Sequence, residues 1–556
     1  MAAQTQTQLD FVYQHERSRG GEVWLSQPLG GGAMRDFTFA QGMGEARRVA
    51  AHLLALKLPA GSKIAIFSKN TAWWFLADLA IWMAGHVSVP VYPTLNAASI
   101  KRILDHAEAQ LVFVGKLDDF SVMEPGLGAL PRILLPLAPP GQPGRSWDEL
   151  VAGTPPLEGT PRRDPDELAT IIYTSGSTGE PKGAMHSFRT MCAARIFVDA
   201  MSMVPSDRMI SYLPLAHVAE RACLQTTNFI TGYRVFFAES LETFIQDVQR
   251  ARPTVFGSVP RLWQKFQGGV SAKLPPKKLA LLLRIPLLRG LIKKKVLTGL
   301  GLDQSRAFIT GSAPTPPELL HWYGALGAEL GEVYGMTENF AVSHFTPIGA
   351  ARVGTAGKTA PGVTSRISEA GEVQVKSPGT MLGYYKNEAL TRETVDGEGY
   401  LHTGDRGAVD ADGYLRITGR LKELFKTSKG KYVAPAPIES ALLAHPHVDQ
   451  ALVAGADLSQ PFALVVLSPE YRALLAGARA DVSLALEQHL DATNSGLDQH
   501  ERLDKLIVVG EEWTTANGML TPTLKVKRGA VEEKYAARVQ AWCAQSGRVV
   551  WGDQPG

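Results

Sequence analysis

Residues 173–183 read YTSGSTGEPKG, and the Ala169, Ile171 and Ile172 before them have the apolar character of a buried strand. The loop that follows is built almost wholly of glycine and hydroxyl residues. Gly176, Gly179 and Gly183 let the backbone turn tightly and approach a ligand with no Cβ in the way. Thr174, Ser175, Ser177 and Thr178 supply hydroxyl donors, and Lys182 supplies a positive charge. Such a passage cradles phosphate oxygens. It is not the Walker loop, in which Gly-Lys runs directly into Ser or Thr; here Pro181 precedes Lys182 and Gly183 follows it. Taken alone, a Gly/Ser/Thr loop reads equally well as a solvated turn, so the neighbouring chain has to decide.

Upstream, strand and helix alternate. Residues 63–67 (KIAIF) read as a strand, 71–85 as a buried helix, 86–92 as a second strand, 97–109 as a helix and 111–115 as a third strand. Strands apolar on both faces, separated by helices, predict a parallel sheet covered on both sides. Residues 125–165, rich in proline and glycine, read as a long surface connection. Downstream, 189–201 reads as one helix, and 210–221 (ISYLPLAHVAER) runs from strand through loop to helix with His217 in the loop. A strand at 254–259 leads into PRLWQK, in which Trp263 reads first as a core aromatic. FITGSAP (308–314) and EVYGMTE (332–338) are strands running into small-residue turns. Tyr334 offers a flat face for a purine, Gly335 keeps the backbone clear, and Glu338 is a hard oxygen ligand suited to Mg2+. In YLHTGDRG (400–407), Asp405 sits in a glycine-flanked turn, where a carboxylate can accept from two ribose hydroxyls.

In this order, YTSGSTGEPKG, LPLAHVAER, ITGSAP, YGMTE and YLHTGD resemble the successive motifs of the adenylate-forming enzymes: acyl-CoA synthetases, luciferases and peptide-synthetase adenylation domains. PRLW (260–263), Lys422, KGKYVAPAPIE (429–439) and LTPTLK (520–525) are similar to the long-chain fatty acyl-CoA synthetases. The resemblance implies an α/β fold. Residues 1–419 would form a large domain of parallel and mixed sheets covered by helices, and 420–556 a small mobile α+β domain hinged near Lys422. It implies ATP and AMP binding by Thr174, Ser175, Gly176, Ser177, Thr178, Gly179, Lys182, Gly311, Tyr334, Gly335, Met336, Thr337, Asp405, Ile417 and Arg420. Lys525, His217 and Lys182 would be catalytic, with Lys527 the alternative to Lys525, because the glycine usual before this lysine is Leu524 here. His217, Trp263, Gly311 and Ser312 would line the acyl tunnel. Ser428, Lys429 and Gly430 would face the CoA channel, and Thr174 and Glu338 would hold Mg2+.

The expected activity converts a medium- to long-chain fatty acid, with ATP, Mg2+ and CoA, first to acyl-AMP and then to acyl-CoA. The alternatives are an aryl-CoA ligase, an acyl-AMP ligase that loads a carrier protein, and an inactive scaffold. A formal charge of +3 over 556 residues gives no reason to expect nucleic acid. Cys192, Cys223 and Cys543 are scattered and odd in number, which fits a reducing cytoplasm rather than a disulfide framework. No signal pattern opens the sequence, and the apolar run 73–91 is interrupted by Asp78, Gly85, His86 and Pro90. Residues 273–295 (KLPPKKLALLLRIPLLRGLIKKK) carry many leucines and many cations but no acid. They read either as a solvated helix pair with its leucines on the core, or as a basic amphipathic patch for an anionic membrane surface. Both a monomer and a homodimer fit the sequence.

Overall fold

The computed structural model describes residues 6–174, 181–445, 447–521 and 524–552. Ser175, Gly176, Ser177, Thr178 and Gly179 lie outside the described residues.

The strand Lys63–Phe67 runs parallel to Val87–Val91 on one side and to Ala109–Val114 on the other. Between the first two lies the helix Ala72–Met83, buried along its whole length. Thr71 starts it by accepting the Trp74 N–H on its hydroxyl at 3.2 Å. Asp78, in this otherwise apolar helix, is answered by Arg221 at 3.2 Å, with both side chains fully buried. The guanidinium also lies over the Trp74 ring, 5.1 Å from its centroid. A charge this deep is tolerated only with such a partner.

These strands belong to an eight-stranded sheet, which Leu168–Thr174 joins beside Val87–Val91. That contact is a single pair, Ser88 with Thr170. Pro90, two residues on, has no N–H to extend it. The chain then returns antiparallel as Lys182–Ser187, with Thr174 opposite Lys182. The two described ends of the phosphate-loop stretch, Thr174 and Lys182, therefore face each other across an antiparallel pair at one side of a mostly parallel sheet. Gly183 serves packing, not turning. A Cβ there would sit 2.7 Å from the Ile171 Cγ2 and 3.1 Å from the Tyr173 ring.

Two sequence expectations give way here. Residues 125–165 are more than a surface connection. They add two strands, Arg132–Leu134 and the edge strand Arg145–Ser146, and the helix Trp147–Gly153, whose buried Trp147 donates its Nε1–H to Glu45 at 2.8 Å. Residues 189–201 form two short helices, Phe188–Cys192 and Arg195–Ala200, rather than one.

A second parallel set, Val255–Ser258, Ala307–Gly311 and Leu330–Tyr334, is extended antiparallel by His344–Phe345 and Lys358–Thr359. A four-stranded antiparallel sheet follows, in the order Thr364–Ile367, Glu372–Lys376, Leu401–Val409, Leu415–Arg420. After the single turn Leu421–Glu423, which holds Lys422, a separate core begins. Its sheet orders Val448–Ala454, Phe462–Leu467, Leu506–Val508 and Val549–Trp551, with the helices Pro435–Leu442, Pro469–Ser495 and Arg528–Ala544 about it. Arg261 pairs with Asp449 at 2.8 Å and Gln264 donates to the Leu443 carbonyl at 3.0 Å, tying the helix Pro260–Lys273 to this small unit.

The basic leucine-rich stretch forms two helices, Pro276–Arg284 and Pro286–Leu300, each opened by a proline. The reading that its leucines face the core fails. Leu279 and Leu300 are buried, but Leu281, Leu287 and Leu291 are 61%, 88% and 66% exposed. Ile285 is extended before Pro286, so the chain bends there and residues 284–291 all stand in solvent.

Candidate active site

Tyr334 ends its strand and opens the tight turn that carries Glu338. Gly335 is required by that turn: a Cβ there would meet the Ala341 carbonyl at 2.4 Å. Phe340 and Ala341 both hold left-handed backbone, at φ 50° and 61°. The Asn339 side chain accepts the Met336 N–H at 2.9 Å, and the Ala341 N–H reaches the Met336 carbonyl at 2.9 Å. Adjacent non-glycine residues in this region cost of order 1–3 kcal/mol each and persist where the surroundings over-determine them. Those surroundings are on either side. His186 donates from Nε2 to the Thr337 carbonyl at 2.8 Å, and Met381 N–H reaches the Glu338 carbonyl at 2.8 Å. Burial lowers His186 to about 4, so its ring is neutral. His186 thus ties the phosphate-loop hairpin to the Glu338 turn.

The two carboxylates are each gripped by a tyrosine. Tyr384 donates to Glu338 Oε1 at 2.6 Å, and Tyr334 donates to Asp405 Oδ2 at 2.6 Å. Asp405 Oδ1 also takes the Arg420 Nε–H at 3.0 Å, across the antiparallel register that sets Asp405 opposite Arg420. A carboxylate has about four lone-pair sites, so Asp405 keeps acceptor capacity for a diol. Burial first, and then the Asp405 charge, raise the Tyr334 phenol well above its ordinary value, which keeps it a donor. Burial works against the Arg420 charge, but Asp405, Glu423, Tyr334 and Glu338 around it raise its pKa further. Ile417 lies half-buried against the same apolar cluster as Tyr334.

His217 caps a short helix, its Nδ1 accepting the Ala219 N–H at 3.2 Å. Its loop is fixed by a buried network. Asn70 accepts the Leu215 N–H at 3.1 Å and donates to the Leu213 carbonyl, Ser211 Oγ and Glu220 Oε1 at 2.6, 2.8 and 3.3 Å. Glu220 Oε1 also accepts from Ser211 Oγ at 2.8 Å and from the Tyr212 N–H at 3.0 Å. Burial pushes the Glu220 carboxyl up to about 8. Burial, and then the Lys525 charge, lower His217 to about 4, so it is neutral at pH 7.

Trp263 stands in the first turn of its helix, fully buried. Its Nε1–H donates to the Ile309 carbonyl at 3.1 Å, and Tyr323 OH holds its carbonyl at 2.7 Å. Trp263 is thus locked against the strand that ends in Gly311. Ser312, next along, has φ 67°, and a Cβ at Gly311 would meet the Val333 carbonyl at 2.6 Å.

Lys525 comes from the small domain, one residue before the bridge that Val526 makes. Leu520 bridges Val526, Thr521 N–H bonds the Lys525 carbonyl at 2.8 Å, and Lys525 N–H bonds Thr521 Oγ1 at 3.0 Å. Leu524, where glycine is usual, sits at φ 60°. Lys525 keeps an accessible surface, yet protein crowds its ammonium. Burial and the Arg420 charge lower its pKa, against the pull of Asp405 and Glu423. Lys527, also exposed, precedes the helix Arg528–Ala544.

The structure therefore brings Tyr334, Glu338, Asp405, Arg420, His217 and Lys525 within electrostatic reach of one another, with Met336 and Thr337 in the connecting turn. Thr174 and Lys182 face each other at the hairpin mouth. Ser428, Lys429 and Gly430 stand exposed on the hairpin joining Phe425–Lys426 to Tyr432–Val433, outside this group. Sequence reasoning missed His186, Tyr384 and the Asn70–Glu220 network. Only Tyr384 had a local signal, since it lies in GEVQVKSPGTMLGYYKNE (371–388), a tyrosine-containing stretch that resembles a further motif of the adenylate-forming enzymes. A magnesium ion that arrives with a nucleotide keeps waters and phosphate oxygens and needs few protein ligands. The donor set here, the Glu338 carboxylate and the Thr174 hydroxyl, suits that role.

The family described as AMP-binding enzyme matches residues 16–385, and its C-terminal domain matches residues 423–546. A long-chain-fatty-acid–CoA ligase of Mycobacterium bovis is 32% identical, covering 96% of each chain. Human long-chain-fatty-acid–CoA ligase 1 is 30% identical over 86% of this chain and 77% of its own. The crystal structure of an anthranilate CoA ligase in complex with anthranoyl-AMP superposes with a TM-score of 0.79 at 22% identity, covering 97% of this chain and 98% of the other. That likeness establishes the adenylate-forming fold.

Proposed function

The chain belongs to the family of AMP-binding enzymes, and from its site we propose that it is an ATP-dependent acyl-CoA synthetase acting on medium- to long-chain fatty acids. The observation that carries this reading is Lys525 of the small domain set among Arg420, Asp405 and His217. Its 30–32% identity to long-chain-fatty-acid–CoA ligases supports the choice of acid.

The acid's carboxylate attacks the α-phosphorus of ATP. One P–O bond forms as the bond to pyrophosphate breaks, leaving acyl-AMP. Negative charge grows on the phosphorus oxygens, so cations and donors already in place lower the barrier. Lys525, Lys182 and the loop Thr174, Ser175, Gly176, Ser177, Thr178 and Gly179 take that role. Glu338 and Thr174 would hold a magnesium ion, whose charge neutralises the phosphates. Asp405, steadied by Tyr334 and Arg420, accepts the ribose hydroxyls, and Tyr334 and Ile417 flank the nucleotide. A neutral His217 sits beside the acid's carboxylate and can donate to it. Trp263 closes the acyl tunnel, with Gly311 and Ser312 on its wall.

The small domain, residues 420–556, then turns about Lys422. Lys525 withdraws, the face of Ser428, Lys429 and Gly430 lines the path of CoA, and its thiol attacks the acyl carbonyl as AMP leaves. A hinge of this kind needs only a few residues at an element boundary, and Lys422 lies in an exposed single turn there. The enzyme works in the cytoplasm and meets the membrane at its inner surface through residues 273–295. Among the described residues no helix is long and apolar enough to cross a membrane.

The test is pyrophosphate and AMP release from Mg-ATP with acids from acetate to oleate, with and without CoA. CoA-dependent turnover of the longer acids is expected. Pyrophosphate release that stops near one equivalent whether or not CoA is present would instead mark a carrier-protein ligase. Turnover confined to aromatic acids would mark an aryl-CoA ligase.

A further inference from the structure

We propose that the bent helix pair Pro276–Arg284 and Pro286–Leu300 is an interfacial docking face for a bilayer containing anionic phospholipid. The face is argued from its own surface chemistry. Its use, uptake of a membrane-borne acid, rests on the acyl-CoA synthetase reading.

Two observations coincide on it. Leu281, Ile285, Leu287, Leu288 and Leu291, five large apolar side chains within eleven residues, are all exposed, Leu287 by 88%. A cluster this dense marks an interaction site, whereas single exposed leucines do not. Around it stand Lys273, Lys277, Lys278, Arg284, Arg289 and the run 293–295 of three lysines. No aspartate or glutamate occurs between Asp247 and Asp303. Nearby arginines outside the patch are neutralised: Arg250 by Asp247, Arg252 by Asp303 and Arg261 by Asp449. Among the described residues, none of the eight cations of the patch has an ion-pair partner. Selection for a compact charged surface alone would have mixed the two signs.

Cations interleaved with leucines fit a headgroup layer. The leucines enter the acyl boundary while lysine and arginine stems lie along it, leaving their charges among the phosphates. A second copy of the same face is a poor occupant, because a two-fold interface would set the cations against one another. The bend at Ile285–Pro286 projects residues 284–291 furthest into solvent, as a penetrating edge requires. The helix Pro260–Lys273, which carries Trp263 in its first turn, ends where the pair begins.

The test is sedimentation of the full chain with phosphatidylcholine vesicles and with 7:3 phosphatidylcholine:phosphatidylglycerol vesicles. The expected result is at least tenfold tighter binding to the anionic vesicles, weakening as NaCl rises. L287E/L291E and, separately, K293E/K294E/K295E should each lose at least tenfold of that binding, while both keep the wild-type melting temperature and wild-type turnover of dissolved acid. Wild-type protein that ignores anionic vesicles, or variants that bind them as well as wild type, overturns the proposal. So does a dimer in wild type that L287E/L291E dissociates without any vesicle binding, since the face would then be a protein interface. Because vesicle binding needs no catalysis, a chain that docks but activates no fatty acid sinks the ligase reading alone.

Discussion

Asp405 and Lys525 come near one another by opposite routes. Asp405 stands mid-way along the nine-residue strand Leu401–Val409, and both its oxygens are gripped from within or beside its own sheet, by Tyr334 and Arg420. Glu338 is held likewise by Tyr384, and its turn by His186 and Asn339. Lys525 stands beside the bridge between Leu520 and Val526, in a unit joined to the large domain by contacts such as Arg261–Asp449 and Gln264–Leu443. The groups that would hold a nucleotide are thus preorganised. The group that would discharge the transition state is delivered by the placement of a whole domain. A site divided in this way can be completed for one reaction and dismantled for the next.

Removing the delivered charge should break the division most visibly. Lys525→Ala should cut acyl-AMP formation by about 10³-fold, in the range found for losing a transition-state donor. It should leave thioester formation from supplied acyl-AMP near wild type, and Lys527→Ala should change neither step by more than about threefold. Quench-flow of the two half-reactions separates these outcomes. Equal loss in both would mean that Lys525 is a structural residue.

The preorganised side predicts a pH effect. Folding raises the Glu220 carboxyl from 4.5 to about 8. The stability it contributes is therefore complete below the unfolded value and is lost as pH rises through about 8. Glu220→Gln keeps an acceptor for Ser211, Tyr212 and Asn70 but cannot ionise. It should be more stable than wild type by up to about 5 kcal/mol at pH 9, at about 1.4 kcal/mol per pKa unit, and similar to it at pH 5. Melting curves across that range check the sign, and a constant difference refutes it.

Next in size is Tyr384→Phe. Loss of one hydrogen bond to a charged group is worth about 1.5–3 kcal/mol, so adenylation should fall about tenfold or more, with a weaker apparent affinity for Mg-ATP. Smaller still is Asp449→Ala, which removes a partly exposed ion pair worth about 0.2–1 kcal/mol. A few-fold shift in the ratio of the two half-reactions, with no change in melting temperature, would identify the pair as a bias on domain placement.

The sequence makes legible those features whose reason is local. A carboxylate in YGMTE and prolines that open the helices of 273–295 both act within a turn of themselves. What it concealed acts across the chain. Asn70 meets Glu220 over 150 positions, and His186 meets Thr337 over 151. Gly183 and Gly335 look like loop residues, but each is there because a ring or a carbonyl from another segment occupies the space of a Cβ. The leucines of 281–291 misled in the other direction. Their composition promised a core, but the bend at Pro286 takes them away from it.

Leu524 has one further consequence. A leucine at φ 60° costs about 1 kcal/mol more than glycine and occupies a much narrower basin. The lysine beside it therefore searches few orientations, and in the proposed mechanism its arrival would be set by a rigid lever. Leu524→Gly should leave the rate at 25 °C within about threefold, since relief of strain and gain of freedom oppose one another. It should nonetheless lower the activation enthalpy of adenylation and make the activation entropy more negative, so that the two enzymes' Eyring plots cross.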